Sequence, residues 1–147
     1  MRSACRSVTI VVIDDLEDAM TDSLSRLAGP AIVHLEHELI VRDFLELLDE
    51  QCWSDLRPFL HDEVVFVTAP GRSIDGRECV LRAVREIRHG FARFGVELED
   101  LGFGPATVFA HLTLSLRLPT GEEARVQSFA KFRLRDMQIV EWTQSYA

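Results

Sequence analysis

His111 stands in an alternating run, Thr107 to Leu118. Thr107, Phe109, His111, Thr113 and Ser115 share one face of it, and Val108, Ala110, Leu112, Leu114 and Leu116 share the other. With the polar row turned toward a cavity, His111 becomes the titratable group inside it. An imidazole titrating at about 6.5, kept neutral by desolvation, can accept a proton. One positioned acid–base group contributes about 10²–10⁴-fold to a rate, enough for a facile enolisation or cyclisation. The competing reading is a histidine hydrogen-bonded into a polar patch of the sheet. Gln127 and Gln144 fall on the strands that follow. Buried amides demand partners, so two facing one cavity favour a ligand with carbonyl or hydroxyl groups and can serve as orienting or oxyanion donors. They can equally bond each other, His111 or water.

The expected catalytic set is therefore His111, Gln144 and Gln127. Thr113 and Ser115 accompany His111 along the pocket wall. Aromatic walls are expected from Phe44, Phe66, Phe129, Trp142 and Tyr146, with Thr68, Val84 and His37 completing the lining. Nine phenylalanines against one tyrosine also point to a core or cavity built from bare rings. His34 and His37 are followed by Glu38, but HxxHE is not a zinc-protease spacing and no third ligand suggests itself, so no metal is expected. Cys79 opens a helix without a nearby base and reads as a buried structural thiol. No glycine pattern resembles a phosphate loop, so no cofactor is expected.

The elements that must position these residues follow from periodicity. Val33, His37, Ile40, Val41, Phe44 and Leu48 predict a long amphipathic helix from Ala31 to about Glu50. Ser54 predicts a cap for a short helix over Asp55 to Leu60, with Trp53 just before it. Val64 to Val67 reads as a strand broken by Ala69-Pro70-Gly71. Val80, Val84, Ile87, Phe91 and Phe94 form the stripe of a third helix from Arg77 to about Phe94. Strands follow at 95–103, Thr107 to Leu118, Ala124 to Leu134 and Gln138 to Tyr146. Helices followed by an antiparallel meander mean an α+β fold. The helices can cover one face of a curved sheet. The leucine face of Val108 to Leu116 then calls for another cover, which predicts a homodimer through the outer face of the sheet.

Residues 1–30 read differently. Val8 to Ile13 has strand propensity, and Asp14 to Leu27 is an acidic helix pattern closed by Gly29-Pro30, a strong stop. An accessory arm and an over-extended start before Met20 both fit. A domain at 31–147 is the expected organisation. A formal charge of −8 with no basic cluster argues against nucleic acid and membrane surfaces. The first apolar run is shorter than a secretory core, and no run approaches the roughly 20 residues of a membrane span. Three scattered cysteines are no disulfide framework, so a reducing cytoplasm is the expected compartment.

Two stretches carry a family resemblance. FLELLDEQCWSDLRPFLHDEVVFVTAPGRSIDGRE, residues 44–78, resembles the opening of SnoaL-like, ketosteroid isomerase-like and limonene epoxide hydrolase-like proteins of the nuclear transport factor 2-like superfamily. LPTGEEARVQSFAKFRLRDMQIVEWTQSYA, residues 118–147, resembles their closing hairpin, with aromatics at Phe132 and Trp142. The resemblance implies a homodimeric cone: a curved, mostly antiparallel sheet wrapped by three helices around an apolar pocket. It implies no single reaction, because the fold hosts cyclases, isomerases, hydrolases and binding domains. The epoxide hydrolase Asp–Arg–Asp set would fall at Thr113, His111 and Gln144, with Phe66 and Thr68 as its water holders. The isomerase base would fall near Val67 or Thr68, its oxyanion tyrosine near Phe44 and its protonated acid near Gln127. None of those residue types is kept. The expectation is a small-molecule cyclase, isomerase or hydrolase acting on an apolar, oxygen-bearing polyketide or terpenoid. A non-catalytic binding domain or a dimerising partner module is the alternative.

Overall fold

The computed structural model describes residues 18–147, with side chains from Gly29 onward. The described residues divide into two compact units, one ending at Ile32 and the other spanning Val33–Ala147. The strand expected at Val8 to Ile13 lies outside the described residues.

Helix α1 spans Asp18–Glu50 without a break. The stop expected at Gly29-Pro30 does not occur, and Pro30 sits inside the helix. An internal proline removes one backbone bond and crowds the carbonyl four residues back, at about 3 kcal/mol. The helix is secured further along, where Ile40, Val41, Phe44, Leu45 and Leu48 are all buried. Helix α2 is Trp53–Leu56, running into a 3-10 turn at Arg57–Phe59. The expected Ser54 cap is not made, because the helix already begins at Trp53, after Cys52.

Strand β1, Leu60–Ala69, is longer than its apolar centre predicts. The chain then turns at Gly71, whose φ of 73° suits a residue without Cβ, into a hairpin strand that periodicity missed: β2, Arg72–Asp75. Helix α3 is Arg77–His89 and ends at Gly90, so Phe91 and Phe94 lie beyond the expected helix. Strands β3 (Arg93–Gly104), β4 (Thr107–Arg117), β5 (Glu123–Arg135) and β6 (Gln138–Tyr146) complete one six-stranded sheet in the order β2-β1-β6-β5-β4-β3. Only β1 and β6 run parallel. The expected α+β class, helices first and a curved, mostly antiparallel sheet after, is what the chain forms.

One expectation is reversed. Val108, Ala110, Leu112 and Leu114 of β4 are buried, and all but Leu114 belong to the core beneath the helices. His111, Thr113 and Ser115 therefore face the opposite side of the sheet, away from the helices. The reason is energetic. The helices present apolar faces, and burying leucines against them gains about 25 cal/mol per Å². Turning the polar row inward would require a partner for every hydroxyl and ring nitrogen. Strand β5 follows the same rule, with Ser128, Ala130, Phe132 and Leu134 buried and Gln127, Phe129 and Lys131 exposed. Phe44 anchors α1 on this inner face, edge-on to Trp142 at 5.3 Å and to Phe132 at 5.8 Å between centroids. Among the described residues no helix is long and apolar enough to cross a membrane.

Candidate functional site

Between α3, the end of α1 and the inner face of the sheet lies a cavity of about 40 Å³. That is space for a few water molecules. Leu48 and Trp53 close it on one side, Val84, Ile87 and Arg88 of α3 cover it, and Phe66, Leu112, Leu114 and Trp142 form its floor on the sheet. Phe94 and Val96 of β3 and Gln144 and Tyr146 of β6 complete it. No carboxylate and no imidazole lines it. Its polar atoms belong to Gln144, Arg88 and Tyr146, beside the indole nitrogens of its two tryptophans.

Gln144 is held by a buried chain of hydrogen bonds. Trp142 Nε1 donates to Gln144 Oε1 at 2.9 Å. An indole nitrogen only donates, so that contact fixes which end of the amide is oxygen. Gln144 Nε2 donates to Ser128 Oγ, and Ser128 Oγ donates to the Ser145 carbonyl at 2.9 Å. Ser128 is fully buried and Gln144 nearly so. The amide thus has its oxygen engaged and one N–H spent, leaving its second N–H as the uncommitted donor.

Arg88 enters from the last turn of α3. Its Nη1 donates to the Phe91 carbonyl at 3.0 Å, while its Nε is shut off from solvent without an acceptor among the described residues. Tyr146 is more than half exposed. Partial burial pushes its hydroxyl above the ordinary value of 10.0. It is therefore a neutral hydroxyl at physiological pH.

The opposite face of the sheet carries a second network. His111 Nε2 lies 2.5 Å from Gln127 Oε1, Gln127 Nε2 donates to Thr113 Oγ1 at 3.2 Å, and Thr113 Oγ1 donates to Glu99 Oε1 at 2.8 Å. Because Gln127 Oε1 only accepts, Nε2 is the protonated nitrogen of His111. The ring stacks on Phe129 at 4.9 Å. Alternation along β3 puts Glu99 in this row, and a register shift between Leu98 and Asp100 sets Asp100 rather than Glu99 opposite His111.

Of the residues expected to act together, Gln144, Phe66, Val84, Trp142 and Tyr146 line the cavity. His111, Gln127, Thr113 and Phe129 lie across the sheet from it, in contact with one another rather than with Gln144, and Ser115 shares their face of β4. Phe44 is core beneath the floor, and Thr68 and His37 are half-buried away from the lining. Cys79 is exposed, not a buried thiol. Among the described residues no three His, Cys, Asp or Glu side chains gather as metal ligands. Among the lining residues outside the set expected from the sequence are Trp53, Arg88, Leu112 and Leu114. Arg88 was legible, since it follows Val84 by four residues and so shares its helix face.

A SnoaL-like domain model matches residues 41–142. Among curated proteins, none matches this sequence. Solved structures resemble the fold closely. A nuclear transport factor 2-like protein of unknown function from Burkholderia pseudomallei aligns at a TM-score of 0.71 and 13% identity, over 76% of this chain and 91% of its own. An epoxide hydrolase of the limonene epoxide hydrolase type from Mycobacterium tuberculosis aligns at 0.68 and 20%, over 77% and 84%. TerC, co-crystallised with polyporic acid, aligns at 0.70 and 9%, over 76% and 92%. At these identities the structures speak for the fold alone. The matched span, by contrast, takes in α1 from its buried face through to the Trp142 floor of the cavity, and the chain belongs to the SnoaL-like domain family.

Proposed function

We propose that this SnoaL-like chain binds a small, apolar, oxygen-bearing molecule in the cavity under α3, with Gln144 holding the oxygen. The observation that carries this reading is the Trp142–Gln144–Ser128 chain, which orients a buried amide and leaves one donor uncommitted beside apolar walls. A polyketide or terpenoid carbonyl suits such a donor. Ligand pockets commonly measure about 300–1,000 Å³. Binding therefore requires Ile87 and Tyr146, both exposed, to swing aside.

The cavity walls hold no base, so binding is the leading reading and His111 has no path to a ligand there. Turnover by a cyclase, isomerase or hydrolase is the second reading. One feature favours it: a donor fixed before the ligand arrives is how an oxyanion is stabilised. Gln144 and Tyr146 would then hold an enolate oxygen while solvent or the substrate itself moves the proton. Neither version calls for a cofactor.

Native mass spectrometry of the purified protein tests this directly, the expected result being a co-purifying small apolar molecule. The two tryptophans, Trp53 and Trp142, both line the cavity, so intrinsic fluorescence reports occupancy. Gln144→Leu should weaken a ketone ligand about tenfold, the worth of one hydrogen bond. No fluorescence response to any oxygenated apolar ligand would sink the proposal.

The outer face of the sheet is the proposed homodimer contact, because Phe109 and Phe129 expose their rings there side by side with the His111 network. Sedimentation should show a dimer that Phe129→Glu dissociates; an unchanged monomer would end that reading. The free Cys52 and Cys79 fit a reducing compartment, and the cytoplasm is the proposed location.

A further inference from the structure

Arg88 is the one cation in the cavity wall, and its surroundings there are otherwise apolar apart from Gln144, Tyr146 and the indole nitrogens. Several arginines of this chain have acids to meet, and Arg72, Arg82, Arg85, Arg93 and Arg135, which have none within ion-pair distance among the described residues, are exposed to water. Arg42 pairs with Glu38, Arg117 with Glu123 and Arg133 with Glu141. Arg77 also has a solvent-excluded Nε without an acceptor, but its charge is met by Asp62 at 2.8 Å. Arg88 has neither remedy. Among the described residues no carboxylate lies within ion-pair distance of it, and Nη1 is spent on the neutral Phe91 carbonyl.

That hydrogen bond holds the guanidinium in place. The edge shared by Nε and Nη2 remains, two parallel donors at the spacing of the two oxygens of a carboxylate. A buried donor with no acceptor is rare in folded proteins and calls for an explanation such as an absent ligand. The cavity also contains nothing that would repel an anion, even though the chain as a whole carries a formal charge of −8.

We propose that Arg88 makes the cavity selective for an apolar ligand with an anionic head, a carboxylate received on the free edge of the guanidinium while the apolar body lies against Trp142 and Leu112. This rests on the cavity being a ligand site and adds the charge of the ligand to that reading. The competing role for Arg88 is purely structural. A cation in the last turn of a helix is favoured by the dipole, and here it also ties the turn into β3.

Matched acid and amide pairs separate the two roles: benzoate with benzamide, and trans-cinnamate with cinnamamide. Each is titrated against the full chain at neutral pH and low salt, read by tryptophan fluorescence and calorimetry. The acids should bind about tenfold or more tightly than their amides. Arg88→Met, which keeps the apolar stem, should erase that preference and bring acid and amide affinities together. Arg88→Lys should keep part of it, since the charge remains and the fork is lost. Equal affinity for acid and amide in the unmodified chain overturns the proposal while leaving the cavity as a ligand site. A preference that survives in Arg88→Met does the same. If neither acid nor amide binds, this inference and the ligand-site reading fall together. Should Arg88→Met fail to fold, the acid–amide comparison in the unmodified chain and the Arg88→Lys result still decide it.

Discussion

The two faces of strands β4 to β6 carry closely similar sets of residues, yet they have become different kinds of surface. On the inner face an indole, an amide and a hydroxyl form the chain Trp142–Gln144–Ser128, which ends on a backbone carbonyl and contains no charge. On the outer face an imidazole, an amide and a hydroxyl form His111–Gln127–Thr113, which ends on the Glu99 carboxylate. Burial accounts for the difference. An isolated carboxylate is costly away from water, so the network under the helices closes on neutral groups, whereas the open one can end in an acid. The inner chain is rigid and leaves a single donor to offer. The outer one carries the titratable groups on the open side of the sheet, where His111 borders only a shallow groove with Phe109 and Phe129.

Truncating one ring on each face is the harshest test of that contrast. Phe132→Ala, at a fully buried site, should cost about 3–5 kcal/mol in urea denaturation. Phe129→Ala, nearly half exposed, should cost well under that, on the order of 1 kcal/mol. Comparable losses would mean that the outer face is covered in solution, and a concentration-dependent loss at Phe129 would identify the cover as a second copy.

A finer test deletes one link from each network. Ser128→Ala leaves a buried Gln144 N–H without its acceptor and should cost about 1–3 kcal/mol. Gln127→Leu, at an exposed site, should stay within about 0.5 kcal/mol. If the second change proved the larger, the outer network would be the structural one.

The smallest expected effect concerns pH. Tyr146 is the only tyrosine of the chain, so phenolate absorbance reads it alone. Its folded pKa lies above 10.0 because burial disfavours the charged form. The unfolded chain therefore releases this proton first as pH rises. Any stability from the neutral hydroxyl is intact below the unfolded value and declines as pH climbs through the folded one. Tyr146→Phe should flatten that decline from about pH 9 upward. A phenolate titration matching free tyrosine would show that the ring stands clear of the cavity wall.

Much of the frame was legible in advance. The stripe of Ile40, Val41, Phe44 and Leu48 predicts the buried face of α1, and the alternation from Thr107 onward predicts β4 almost to the residue. Pro30 was misleading, because a helix held by a long buried face downstream tolerates a local break signal. Hairpin strand β2 was missed because four residues with one partly buried side chain show no usable period. The site was legible only in part. Trp142, Gln144 and Tyr146 of the last strand line the cavity, whereas His111 and Gln127 lie on the other side of the sheet, a choice that alternation alone does not make.

The amino-acid sequence by itself determined which residues of each strand share a face, because successive side chains alternate with a period of two whatever the strand packs against. It also determined the order of helices and strands, and with it the family. Only the tertiary structure decided which of the two faces of β4 meets the helices, since that depends on the apolar surface α1 and α3 bring from elsewhere in the chain. The same docking set a glutamine and an arginine, 56 positions apart in the sequence, into one cavity wall, and left the histidine outside it.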